Sequence, residues 1–143
     1  MNIRQLLKVL TINIVLVTPI FAHDGHDHGT PGVLKAPHGG IAKGGQSIDI
    51  ELVQNEDSIV IHGLNADSTT INIGTFKVAG TIEFLKGKPT PLQFEAIKDG
   101  YKAPLSFISK DGKSLGHRAK LDIEVTPTGK AAEKFSFQIE PQN

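Results

Sequence analysis

From Ser47 to the C-terminus the chain is patterned in twos. Ile48, Ile50 and Leu52 alternate with Asp49, Glu51 and Val53, the signature of a strand with one buried face. Gln54 to Asp57 is a polar turn, and Ile59 and Ile61 alternate with Val60 and His62 in a returning strand, which predicts a hairpin. Gly63 to Thr69 reads as loop. The longest run follows, with Phe76, Val78, Gly80, Ile82 and Phe84 on one face, and Gly80 marks a bulge or a close backbone approach. Lys86 to Pro91 breaks this run, and Leu92, Phe94 and Ala96 resume the alternation up to the turn at Lys98-Asp99-Gly100. Tyr101 to Ile108 predicts a short, irregular strand, because Pro104 has no N–H to donate. His117, Ala119, Leu121, Ile123 and Val125 form another clear strand, and Phe135, Phe137 and Ile139 close the domain.

About seven short strands with no helical periodicity predict an all-β fold, an antiparallel immunoglobulin-like β-sandwich, with a partly open barrel as the alternative. The stretches before it differ. Residues 1–22 have the form of a secretory signal peptide: Arg4 and Lys8 precede the apolar Val9 to Ile20, and Phe21-Ala22 offers a small residue at the cut. The apolar part is too short for a confident membrane span. Residues 23–46 are rich in glycine and poor in large apolar side chains, which predicts a flexible His-rich arm ahead of a β-sandwich at 47–143. The expected location is periplasmic or secreted.

Composition narrows the chemistry. Fifteen basic and 15 acidic side chains are mixed along the chain with no basic block, so nucleic acid is not an expected partner, and no membrane span is expected once the leader is removed. There is no cysteine, which excludes disulfides, thiolate metal sites and thiol catalysis. No serine sits in a nucleophile elbow, and there is neither a Walker loop nor a His-Glu-x-x-His helix, so no enzymatic activity is expected.

What does attract notice is His23-Asp24-Gly25-His26-Asp27-His28, followed by His38 in Ala36-Pro37-His38-Gly39-Gly40. Neutral imidazole suits divalent transition metals, and a short His-rich tract is a compositional signal for them. The expected ligands are therefore His23, Asp24, His26, Asp27, His28 and His38. A site made of the tract alone must order a flexible arm, so better sites borrow His62 or His117 from the predicted strands. His117 has a second reading as a hydrogen-bonded histidine of the interior or sheet end, being in phase with Ala119 and Leu121. Cleavage after Ala22 would let His23 chelate Cu(II) through its α-amine and ring, whereas the only methionine, Met1, leaves with the leader.

The arm, the Ala36-Pro37-His38-Gly39-Gly40 element and the strand Ser47-Ile48-Asp49-Ile50-Glu51-Leu52-Val53 together resemble small periplasmic His-rich metal-binding proteins. They are also similar to the N-terminal domain of the adaptor (membrane-fusion) subunits of heavy-metal efflux pumps. The resemblance implies a periplasmic location and metal binding by His23, His26, His28 and His38. The chain shows one β-domain and no coiled-coil hairpin or lipoyl-like halves, so a carrier or buffer fits better than a pump subunit. The expectation is thus a Cu(II)- or Zn(II)-binding carrier, buffer or efflux accessory, partnered by an envelope efflux or metal-acceptor protein. The alternative is an exported β-sandwich interaction module without a metal role, docking through a strand edge.

Overall fold

The computed structural model describes residues 34–85 and 87–142, so the apolar leader and the His23–His28 tract lie outside the described residues. Ten strands follow one another: β1 (Ile41–Lys43), β2 (Asp49–Gln54), β3 (Ser58–Leu64), β4 (Thr70–Ile71), β5 (Lys77–Phe84), β6 (Thr90–Pro91), β7 (Glu95–Ile97), β8 (Gly100–Pro104), β9 (Ala119–Thr126) and β10 (Glu133–Ile139). They form two antiparallel sheets. One has the order β1-β2-β3-β8-β7, with β4 pairing the far end of β3; the other has the order β10-β9-β5-β6.

The period-two runs explain the long strands. Ile50 and Leu52 of β2, Ile59 and Ile61 of β3, and Ala103 of β8 turn inward from the first sheet. Ile82, Leu121, Ile123, Val125, Phe135 and Phe137 do so from the second, and the two faces make one apolar core. Burying such side chains contributes roughly 1.5–3 kcal/mol each before chain entropy is subtracted, which is what holds together a domain with no disulfide.

The short strands are where the structure departs from the pattern. Ten strands replace the expected seven, because β1, β4 and β6 are only two or three residues long and leave no periodic trace. The expected strand through Leu92, Phe94 and Ala96 is split: β6 pairs β5 in one sheet and β7 pairs β8 in the other, with Leu92 and Phe94 packed on the core between them. Pro104 stands at the end of β8, where its missing donor costs least. Most consequential for the site is β1. It lies in the stretch expected to be arm, and it pairs with Ile50, Glu51 and Leu52 along the edge of β2.

Candidate functional site

In the hairpin register Glu51 on β2 stands opposite His62 on β3, both on the outer face of the first sheet. A glutamate there should meet water, yet Glu51 is fully buried. The reason is the turn Ala36-Pro37-His38-Gly39-Gly40, which folds over it. The His38 amide donates to Oε1 of Glu51 at 2.9 Å, and the Gly40 amide donates to the same oxygen at 2.8 Å. The Nδ1–H of His38 donates to Oε2, also at 2.8 Å. A buried carboxylate is tolerable only when its lone pairs are filled, and here three donors fill them.

Backbone geometry makes this turn possible. Gly39 has φ 79°, the left-handed region, and the Gly39 amide closes the turn on the Ala36 carbonyl at 3.0 Å. Gly40 lies so close to β2 that a Cβ would run into the Leu52 carbonyl. The run Pro37-His38-Gly39-Gly40 is therefore a turn that only this glycine pair can seat against the sheet.

The two histidines meet above the carboxylate. Their rings stack with centroids 3.8 Å apart and planes 11° from parallel. His62 directs Nδ1 at the Asp99 carbonyl, 2.8 Å away. A carbonyl can only accept, so His62 carries its proton on Nδ1. His38, facing a carboxylate, does the same. The Thr70 hydroxyl lies 3.3 Å from Nε2 of His38 and donates to it.

A second carboxylate holds the other end of the segment. Glu133, at the start of β10, accepts from the amides of Gln46 (2.6 Å) and Ser47 (2.9 Å) and from the Ser47 hydroxyl. Partial burial pushes its carboxyl up, but these donors, with Lys130 nearby, outweigh that and hold it below the ordinary glutamate range. Between the two clamps Lys43 reaches the Ser136 carbonyl on β10, its ammonium 5.0 Å from the centre of the Phe137 ring.

The metal expectation is corrected by this arrangement. Among the described residues, no group of three or more His, Asp or Glu side chains could hold a metal ion. His38, Glu51 and His62 do come together, but Nδ1 of His38 and both carboxylate oxygens are spent within the cluster and Nδ1 of His62 on the Asp99 carbonyl. The remaining nitrogens belong to parallel rings, whose in-plane lone pairs run side by side rather than converge on one point. His117 is exposed in the loop before β9, in a cleft with Leu85, Ser114 and Leu115, and is neither an interior histidine nor a neighbour to His62 in its sheet. His23, Asp24, His26, Asp27 and His28 lie outside the described residues. The reading of a Cu(II)- or Zn(II)-binding carrier, buffer or efflux accessory with a metal-acceptor partner is accordingly replaced, and His38 and His62 are fastenings. No helix among the described residues is long and apolar enough to cross a membrane.

Glu51 is the member that sequence reasoning missed, since alternation places it with Asp49 and Val53 on the wet face. The signal lay in the hairpin: a turn at 55–57 sets Glu51 opposite His62.

No family model matches the chain, and no curated protein does. Among solved structures, the chain is similar to the crystal structure of a DUF4426 family protein from Pseudomonas aeruginosa PAO1. The TM-score is 0.48 and the identity 19%, over 72% of this chain and 99% of that one. A likeness at this level carries no function across.

Proposed function

We propose that this chain is an exported, non-catalytic protein-interaction module whose β-sandwich docks to an envelope partner through a strand edge. The single observation that supports the reading most is the state of the edges. On the β10 edge Lys43 covers the Ser136 carbonyl, and the β6 edge contains Pro91, which has no donor. Both are common ways of blocking edge pairing. The β7 edge carries neither device, and Glu95, Ala96 and Ile97 are all exposed there. An extended segment adding to β7 would gain main-chain hydrogen bonds, with Ile97 as an apolar contact. Export belongs to the proposal through the leader, and an immunoglobulin-like strand arrangement through the two packed antiparallel sheets and their hairpin linkage.

The test is a photo-crosslinking amino acid placed at Ala96 in cells, with the same probe at Lys134 as reference. The reading expects one discrete adduct at Ala96, indifferent to chelator and lost when Ile97→Lys puts a charge on the edge. Equal labelling at both positions, or an adduct that survives Ile97→Lys, would refute the edge as the docking surface.

A further inference from the structure

We infer that His38 and His62 form a proton-operated latch, which keeps residues 36–43 over the edge of β2 when the rings are neutral and frees them when both are protonated. Its use in partner binding rests on the interaction-module reading; the latch itself stands on geometry.

With both rings neutral every neighbour is served: His38 donates to Glu51, His62 donates to the Asp99 carbonyl, and the Thr70 hydroxyl donates to His38. One added proton is tolerable. Placed on Nε2 of His38 it makes a cation whose Nδ1–H stays 2.8 Å from the Glu51 carboxylate, and the Thr70 hydroxyl can rotate from donor to acceptor. The second proton is different. On His62 it sets two cations face to face at 3.8 Å, while both Glu51 oxygens are already engaged by His38 and Gly40. The Asp99 carbonyl accepts from His62 in either state and so offers the cation no new partner.

The other charged groups on the surrounding elements do not change this. Asp49 lies two positions along β2 and accepts from the Gly45 amide. Asp99 precedes β8, Lys102 stands on β8 opposite Val60, and Lys35 precedes the turn. Among the described residues, only the Glu51 carboxylate and the Asp99 main-chain carbonyl among these charged residues are hydrogen-bonded to the rings.

Release acts on one end only. The donors at Gln46 and Ser47 stay fastened to Glu133, whose carboxyl keeps its charge below the ordinary glutamate range. What lifts is the turn together with β1, whose three registered pairs cover Ile50, Glu51 and Leu52. The uncovered edge of β2 then suits an extended strand.

The test is amide hydrogen exchange of the described domain in the full chain, read as protection factors so that intrinsic exchange cancels, at about pH 7.5 and about pH 5, either side of the histidine range. The latch predicts that protection of the His38 and Gly40 amides falls at least about tenfold at the lower pH while β9 and β10 are unchanged. His62→Phe keeps an aromatic ring without a proton site, and should hold that protection at both pH values. Constant protection, or an equal loss in His62→Phe, would each overturn the latch. None of these readouts needs a partner, so loss of the β7 adduct would sink the docking reading and leave the latch standing.

Discussion

Glu51 and Glu133 fasten opposite ends of one segment, and the contrast between their surroundings shows what each fastening can do. Glu51 is fully buried and accepts from the amide and ring of His38, whose imidazole stacks on that of His62, and from the Gly40 amide. Glu133 sits at the sandwich rim and holds two amides and a hydroxyl. Burial makes the first clamp expensive to break and ties it to the charge state of its histidines. Exposure makes the second weaker, because water competes for the same groups, and leaves it indifferent to pH until the carboxylate itself protonates.

The largest effect should come from Glu51→Ala. It strands the amides of His38 and Gly40 under a buried face, and urea denaturation should show a loss of about 3 kcal/mol. Gly40→Ala comes next: its Cβ meets the Leu52 carbonyl, so the turn must lift, at a cost of about 2 kcal/mol by the same measurement. Glu133→Gln should cost under about 1 kcal/mol after allowance for solvent. If the two glutamate variants proved equally costly, the contrast would be broken.

The pH dependence of the Glu133 contribution has a definite sign. Its carboxyl is depressed in the folded state, so the stabilisation is fully present above the unfolded value and fades as pH falls through the depressed one. Unfolding free energies of wild type and Glu133→Gln should therefore differ at neutral pH and converge only in the acid range below that of an ordinary glutamate. The smallest effect should be that of Asp122→Asn. Asp122 is held below the usual carboxylate range by hydrogen bonds from Lys120 and Ser136, but the Lys120 pair is largely in water, so urea denaturation should show the least change of the four variants.

Alternation made the large strands legible, since Ile50, Ile61, Ile82, Leu121 and Phe137 all face the core as their phase requires. It could not reveal β1, β4 or β6, which exist because a neighbouring strand offers them an edge rather than because of their own residues. It also ran two residues too far at His117: the chain bends at Gly116, φ 131°, and β9 begins at Ala119. Histidine content drew attention to His38 and His62, and the structure does bring them together. What composition could not show was the acceptor between them. Period two assigns Glu51 to solvent, and only the turn that closes over it, thirteen residues earlier in the chain, reverses that assignment.

His38 and His62 are occupied as fastenings. Long-range proton–nitrogen NMR correlation at neutral pH tests this directly, because it reads which ring nitrogen bears the proton. Both rings should carry it on Nδ1, and the spectra should stay unchanged when one equivalent of zinc is added. Protons on Nε2, or shifts of both rings with zinc, would contradict it.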